Sequence, residues 1–126
     1  MARPRTAYFV SDRTGITAEM LGHSLLTQFE GVRFNEVTLP FVDTVEKARE
    51  VVDRINRQGA ADGERPIVIS TLARTEIAAV LGEAHALFLD CFEIFISPLE
   101  RIARLPRAQQ RVVMQMLDGV LTQAGR

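Results

Sequence analysis

The sequence predicts an α/β fold, a Rossmann-like three-layer domain built on a mainly parallel sheet of about four strands in the order 2-1-3-4. Short apolar runs of strand type alternate with longer segments whose apolar residues recur at helical spacing. The change of period is sharpest between Ala7 and Phe29, where a small polar loop separates the two patterns. Strands that alternate with helices in this way favour right-handed crossovers between parallel strands.

Size and composition indicate a soluble globular protein. The chain has 126 residues, 47% hydrophobic and 25% charged, with a net charge of −1, so no overall field attracts nucleic acid or an anionic membrane. No apolar run approaches the roughly 18 residues of a membrane helix. The single Cys91 cannot form an internal disulfide, and with His23 and His85 it gives no metal-ligand spacing. We therefore expect a cytoplasmic protein without a metal, a nucleic acid or a membrane as partner.

The loop between the first strand, Ala7 to Val10, and the first helix carries residue types that suit phosphate. A helix start leaves backbone N–H groups unpaired and places the positive end of the helix dipole at the loop. Gly15 allows a close backbone approach, Arg13 adds a fixed charge, and hydroxyls add hydrogen bonds. The alternative, more common on composition alone, is that these residues only cap the helix. The candidate phosphate- or nucleotide-binding residues are Ser11, Asp12, Arg13, Thr14, Gly15 and Thr17.

The first helix is predicted from apolar residues that recur at helical spacing. In the loop before it, Asp12 is of the type that holds Mg²⁺ or orients a nucleophile, although one carboxylate alone specifies neither. His23 is offset from the apolar positions, and a histidine in such a place more often packs or caps than catalyses. The apolar positions are Ile16, Met20, Leu21, Leu25 and Phe29.

A second strand and a second helix follow. Arg33 to Leu39 is of strand type, and Pro40 ends its ladder. Asp43 and Glu46 form a capping-box pattern at the start of the helix. The apolar residues of this helix form one stripe that we expect to lie on the sheet, namely Val45, Ala48, Val51, Val52 and Ile55.

The third strand, Ile67 to Ile69, is an apolar run that we expect to be buried on both faces. Ser70, Thr71 and Arg74 follow it directly. They are secondary candidates for the site, because open α/β sheets bind ligands at the carboxyl ends of their strands. The alternative, slightly favoured, is that Ser70 or Thr71 caps the next helix. Ala86 to Leu89 is predicted as a fourth strand.

The C-terminal segment is predicted to be helical. Ser97 to Glu100 carries a start signal, with serine as the cap and proline at the first helical position. We divide the chain into a Rossmann-like domain, residues 1–105, and an amphipathic C-terminal helix, residues 106–126. Such a helix covers a core edge or binds a membrane or a partner helix, and we expect a homodimer that uses it. Its apolar stripe consists of Val112, Val113, Met116, Leu117, Val120 and Leu121.

The residues around the first loop also carry a family resemblance. The run S-D-R-T-G-I-T-A-E, followed by L-G-H-S-L-L-T-Q-F and then T-L-P-F-V-D, resembles the opening of the regulatory proteins of phosphoenolpyruvate synthase and pyruvate, phosphate dikinase. The likeness continues through Glu46 to Asn56, weakens through Pro66 to Asp90 and is last visible at Ile96 to Glu100. A long gapless motif of this kind is more specific than a lone glycine loop.

The resemblance implies a transferase that is bifunctional. Such a protein phosphorylates a threonine of the synthase or dikinase with ADP, as a serine/threonine kinase, and removes that phosphate with inorganic phosphate, releasing pyrophosphate. Full-length members would bind ADP or ATP and phosphate, through a P-loop G-x-S-R-x-x-K-T in a C-terminal half beyond this chain. The only lysine here, Lys47, lies on a helix.

We therefore assign no catalytic residue and no cofactor within these 126 residues, and we expect the polypeptide alone to be inactive. Positioning a transferable phosphoryl group normally requires a lysine and a metal ligand set as well as a backbone cradle. The alternative to an enzyme domain is a non-catalytic module for dimerisation or for binding the target.

Overall fold

The computed structural model describes residues 4–124, apart from the side chains of Phe95, Ser97, Leu117 and residues 120–124. The chain divides into two compact units, Met1–Phe92 and Glu93–Arg126. The sheet lies in the first unit. The division after residue 105 that the sequence suggests stays a prediction.

The first unit contains a parallel sheet of four strands in the order β2-β1-β3-β4, which confirms the predicted class and order. The strand β1 pairs with β2 from Arg5 opposite Phe34 and with β3 from Ala7 opposite Ile67. Each of the four strands begins and ends within two residues of the bounds predicted from the sequence. The elements are β1 Arg5–Val10, α1 Ile16–Leu26, β2 Phe34–Leu39, α2 Val45–Asp62, β3 Ile67–Ser70, α3 Thr75–Leu81 and β4 Leu87–Asp90.

Two hydrophobic cores lie on opposite faces of the sheet, because successive side chains of a strand point to opposite sides. Tyr8 and Val10 face α2 and α3, whereas Ala7 and Phe9 face α1. The strand β1 therefore contributes to both cores and is buried from Thr6 to Val10. Further members of the α2 and α3 side are Val68, Ala48, Ile55, Ile77 and Leu81, and of the α1 side Ile69, Ala18, Leu26 and Cys91.

The helix α1 is confirmed, but most of the apolar residues that predicted it do not form its buried face. Ile16, Met20 and Phe29 are 63%, 66% and 58% exposed, and the buried positions are instead Ala18, Gly22 and Leu26. The reason is the closeness of the helix to the sheet. A Cβ atom at Gly22 would lie 2.3 Å from Cε1 of the Phe9 ring, so only a very small residue fits there. The helical period was correct, but the closest contacts with the sheet are made by the small residues Ala18 and Gly22, with Leu26 buried at the end of the helix.

The helix α2 lies on the sheet as predicted. Ala48 and Ile55 are fully buried, and the valines of the predicted stripe pack against the same core. Its predicted cap was off by one residue. The N-cap is Thr44, whose side chain accepts a hydrogen bond from the backbone N–H of Lys47 at 3.1 Å. Asp43 instead forms an ion pair with the Lys47 ammonium at 2.8 Å.

The second unit is helical. A π-helical turn covers Phe92–Ile96, α4 covers Ser97–Ala103 and α5 covers Arg107–Ala124. Ser97 is the first residue of α4 and Ile96 is its N-cap, so the predicted serine cap was wrong. Gln110 closes the turn between the helices by donating to the carbonyl oxygens of Ala103 and Leu105, at 3.0 and 2.7 Å.

The apolar stripe predicted for α5 is partly visible. Val112 and Met116 are exposed, as is Met114, whereas Val113 is half-buried. The remaining predicted members, Leu117, Val120 and Leu121, have side chains outside the described residues. None of the helices described has both the length and the apolar content that a membrane span requires.

Candidate functional site

The candidate site lies at the carboxyl ends of β1, β2 and β3. Three loops leave the sheet there, the first loop at residues 11–15, the second loop at 40–44 and the third loop at 71–74. The first loop leads to α1 on one face of the sheet, and the third loop leads to α3 on the other. Neighbouring strands whose loops turn to opposite faces leave a crevice between them, where ligands of open α/β sheets bind.

Backbone hydrogen bonds tie the first loop to the second. The N–H groups of Phe41 and Val42 donate to the carbonyl oxygens of Arg13 and Ser11, each at 2.8 Å. Phe41 has a positive φ of 61°, a conformation that costs a non-glycine residue of order 1 kcal/mol, and its ring is 56% exposed. The second loop therefore holds the first loop in place and presents an aromatic ring beside it.

The third loop approaches the first loop from the other side. The Thr71 N–H donates to the carbonyl oxygen of Val10 at 3.0 Å. The N–H of Ala73 lies 3.5 Å from Oδ2 of Asp12. The structure thus brings Ser11, Asp12 and Thr71 to one place, with Ser11 and Thr71 buried and Asp12 half-buried.

The start of α1 has no side-chain cap among the described residues. Its N-cap is Gly15, with a φ of 85° that favours glycine, and no side chain there accepts from the first turn. A Cβ atom at Gly15 would also lie 2.9 Å from Cγ2 of Thr38. Ser11 instead accepts a hydrogen bond from the N–H of Arg13 at 3.0 Å. Gly15 therefore takes the cap position, and the cap interpretation was wrong for the hydroxyl and carboxylate side chains of the first loop.

The cap interpretation of the third loop was wrong as well. The N-cap of α3 is Arg74 and has no side-chain hydrogen bond, while the hydroxyl of Ser70 accepts from the N–H of Leu72 at 3.2 Å. The Thr71 side chain forms no hydrogen bond within the part of the chain that the structure describes. No fully buried side-chain nitrogen or oxygen in that part lacks a partner. The Thr71 hydroxyl therefore reaches solvent, although the residue is only 8% exposed.

Two of the three cations around the loops are neutralised by carboxylates. Lys47 pairs with Asp43, and its hydrogen bond and charge lower the pKa of that carboxyl. Arg74 pairs with Glu76 and also donates to the carbonyl oxygen of Asp43 at 3.4 Å. The pKa of Glu76 is lowered by its own backbone N–H and by Arg74. Arg74 thus links the third loop to the second and does not reach the first.

Arg13 is the cation that remains for a ligand. Its guanidinium is exposed and has no ion pair or hydrogen bond to any other described residue. Thr14 and Thr17 are exposed beside it, at the uncapped start of α1. Asp12 stands as a lone carboxylate, since the described residues form no group of three metal-ligating side chains.

A groove between α1 and β2 was not predicted from the sequence. Its volume is about 390 Å³ and its lining is acidic and partly apolar. The Thr38 hydroxyl donates to Oε2 of Glu19 at 2.9 Å, and Nδ1 of His23 lies 2.9 Å from Oε1 of Glu36. The sequence contained one sign of the groove, because the polar residues Glu36 and Thr38 alternate with apolar residues in β2. The lining residues are Phe9, Glu19, Met20, His23, Glu36 and Thr38.

The chain is similar to known proteins over most of its length. A family model described as kinase/pyrophosphorylase matches residues 7–123. Three relatives carry the provisional name phosphoenolpyruvate synthase regulatory protein. That of Pseudomonas aeruginosa (strain LESB58) is 50% identical over 101 residues, which are 80% of this chain and 37% of the relative. The Alkalilimnicola ehrlichii protein is 53% identical over 102 residues, 81% of this chain and 37% of the relative.

The third relative, from Stutzerimonas stutzeri, is 51% identical over 96 residues, which are 76% of this chain and 35% of the relative. The chain therefore spans slightly more than a third of the length of the curated relatives that it matches. The matched part includes the sheet and its three loops.

Proposed function

Because the chain belongs to the kinase/pyrophosphorylase family, we propose that it forms a phosphate-binding and target-recognising part of a regulator of phosphoenolpyruvate synthase. The names of its relatives support the synthase as the target. The resemblance of its first loop allows pyruvate, phosphate dikinase as a second target. In either case the regulated residue would be a threonine that is phosphorylated with ADP and dephosphorylated with inorganic phosphate.

The first loop and the start of α1 would bind the phosphate. The observation that carries this proposal is the helix start itself, which has no side-chain cap among the described residues and lies beside the free guanidinium of Arg13. The first-turn N–H groups and the helix dipole attract an anion, and the dipole adds about 0.3 to 1 kcal/mol. The Thr71 hydroxyl lies across the crevice and supplies a further donor.

The binding role is distinct from the transfer step. Phosphoryl transfer depends on positioning and on electrostatic stabilisation of the transferred group. The first loop would supply fixed backbone donors, since hydrogen bonds from two neighbouring loops hold it in shape before a ligand arrives. Asp12 would position the third loop through the N–H of Ala73. We assign it no role as a base or as a metal ligand.

NMR titration with inorganic phosphate and pyrophosphate at low ionic strength tests this proposal. We expect the largest shifts at the amides of Thr14 to Thr17. Arg13→Ala should weaken binding about fivefold, because it removes one charge-assisted contact. Arg57→Ala is the matched control, since Arg57 is exposed on α2 about 20 Å along the helix from the second loop. Unchanged amides in the first loop, or equal affinities for both variants, would refute phosphate binding there.

A second proposed role, homodimerisation, has support from α5. Val112 and Met116 are 55% and 67% exposed, and Met114 is 49% exposed. Burying one such side chain is worth about 1.5 to 3 kcal/mol, and a twofold axis lets one apolar patch cover its own copy. Sedimentation of the chain at micromolar concentration, compared with a version ending at Leu105, tests this role. A monomer in both samples would exclude it.

A further inference from the structure

The strand β2 is an edge of the sheet and leaves one side of its backbone unpaired. Among residues 4–124 it pairs with β1 alone, and the N–H groups of Arg5 and Ser11 donate to the carbonyl oxygens of Arg33 and Leu39. Because bonding residues alternate along a strand, the odd-numbered positions of β2 bond to β1. The N–H and C=O groups of Phe34, Glu36 and Thr38 therefore face away from the sheet. Such an edge is a template for another strand.

The residues with free backbone groups also line the groove. Glu36 and Thr38 stand opposite Ala7 and Phe9 of β1, on the face that α1 covers only in part. The outer wall of the groove is α1, where Met20 is 66% exposed. An extended segment paired with β2 would thus form backbone hydrogen bonds with β2, and its side chains would contact the residues that line the groove. This combination is how peptides are recognised by strand addition.

The negative charge of the groove favours a bound peptide segment that is basic. Its six lining residues include two carboxylates, Glu19 and Glu36, and neither a lysine nor an arginine. The Glu19 carboxylate accepts from the Thr38 hydroxyl, which carries no charge, and Glu36 has His23 as its partner, with Nδ1 2.9 Å from Oε1. A lysine or arginine in the bound segment would complement these carboxylates, while its aliphatic part would cover Met20.

The groove is also continuous with the proposed phosphate site. Gly15, in the first loop, approaches Thr38 so closely that an added Cβ would lie 2.9 Å from Cγ2 of that residue. Ile16, the next residue, is 63% exposed and continues the apolar surface of Met20. A strand advances about 3.3 Å per residue, so a hydroxyl residue a few positions beyond the groove would reach the first loop.

We propose that the groove between α1 and β2 receives an extended, basic segment of the target protein, added as a strand to β2. The inference rests on the proposed function, which makes the target a protein with a threonine to be phosphorylated. The backbone of Phe34, Glu36 and Thr38 forms the ladder. The carboxylates of Glu19 and Glu36 bind the basic side chain of the segment. The hydroxyl residue of the segment is thereby directed toward the first loop.

Binding of the 126-residue chain to purified phosphoenolpyruvate synthase of Pseudomonas aeruginosa, measured by surface plasmon resonance, tests the inference. The paired substitutions Glu19→Gln and Glu36→Gln keep the shape of the groove and remove its charge. We expect about tenfold weaker binding. The matched control, Glu50→Gln with Asp53→Asn, removes the same charge from the exposed face of α2 and should bind as the unaltered chain does.

A second variant tests the backbone ladder. Thr38→Pro removes an N–H that points away from β1, so the pairing of β1 with β2 can persist. We expect at least about tenfold weaker binding of the synthase, with an unchanged circular dichroism spectrum. Hydrogen exchange on the unaltered complex should show new protection at Glu36 and Thr38. If Thr38→Pro unfolds, the inference is tested by hydrogen exchange on the unaltered complex and by the paired substitutions Glu19→Gln and Glu36→Gln.

The outcomes separate the two proposals. If the chain binds the synthase but the groove variants bind equally well and β2 gains no protection, the groove is not the docking site. The synthase then remains the proposed target. If the unaltered chain does not bind the synthase, the inference and the synthase as the target are both wrong, whereas phosphate binding by the first loop is decided separately by the NMR titration. If β2 is protected by self-association without the synthase, as sedimentation would reveal, the edge pairs with a second copy and the inference is overturned.

Discussion

The helices α1 and α2 lie on opposite faces of the same sheet, and they are built in different ways. The helix α2 buries aliphatic side chains, with Ile55 fully enclosed, and leaves charged residues in water. The helix α1 rests on the sheet through Ala18 and Gly22, buries one large side chain, Leu26, and leaves Ile16 and Met20 exposed. Large apolar side chains are thus structural on one face. On the other face they surround the proposed phosphate site and groove.

The largest difference between the helices should appear on truncating their apolar side chains. Ile55→Ala in α2 removes a fully buried side chain and should lower the free energy of unfolding by about 4 kcal/mol. Met20→Ala in α1 should change it by less than about 0.5 kcal/mol, because the side chain is mostly in water. Urea denaturation measures both. Equal losses would mean that α1 also has a large-residue core face.

The close approach of α1 to the sheet gives the next effect. Gly22→Ala places a methyl group against the buried Phe9 ring and should cost about 2 kcal/mol. Gly119→Ala, in α5, meets no atom within 4 Å and should stabilise the protein by about 0.5 to 1 kcal/mol. The same change in two helices thus has opposite signs. A stabilised Gly22→Ala protein would contradict the packing described for α1.

The starts of the two helices should also differ. Thr44 caps α2 through the N–H of Lys47, so Thr44→Ala should lower the free energy of unfolding by about 1 kcal/mol. Thr14→Ala, before the uncapped start of α1, should change it by less than about 0.5 kcal/mol. Thermal unfolding without phosphate measures the difference. A loss of similar size at Thr14 would indicate a cap at α1 and would remove the proposed anion site.

The smallest expected effect is the loss of stability of the folded protein at low pH. The folded protein lowers the pKa of Asp43 and of Glu76, so each carboxylate contributes stability above its unfolded pKa and loses it as the pH falls through the folded value. We expect a slight loss of stability from about pH 4.5 downward. In Lys47→Met the pKa of Asp43 should rise toward its ordinary value, as NMR titration can measure. An unchanged pKa would refute Lys47 as the cause.

The sequence predicted the fold more completely than the site. The fold follows from patterns among neighbouring residues, whereas the site depends on contacts between residues far apart in the sequence. Strand order and element bounds follow from periodicity and from turn residues within a few positions of each other. The inner face of α1 depends on Phe9 reaching Gly22, which no local pattern contains. The expected side-chain caps of α1 and α3 are absent from the described residues for a related reason. Ser11 and Ser70 bond to backbone N–H groups within their own loops instead of the helix starts.

The groove could not be predicted for the same reason. Its lining comes from β1, α1 and β2, and its charge depends on Glu19 and Glu36 facing each other across two elements. Only the alternation of Glu36 and Thr38 was visible in the sequence. The loop candidates from Ser11 to Thr17 could be named from the sequence because they form one local run, and their binding role stays a prediction. The structure adds that Arg13 is free for a ligand, whereas Arg74 is engaged by Glu76.

The central position of β1 has a consequence for the order in which the protein acquires its structure. The first described strand pairs on one side with β2 and on the other with β3, where Ala7 lies opposite Ile67. During synthesis one edge of the backbone of β1 therefore stays unpaired until the chain has been made as far as Ser70. Contacts between residues so far apart in sequence slow folding and leave strand edges open to association. Nascent chains that stop short of β3 should accordingly depend on chaperones.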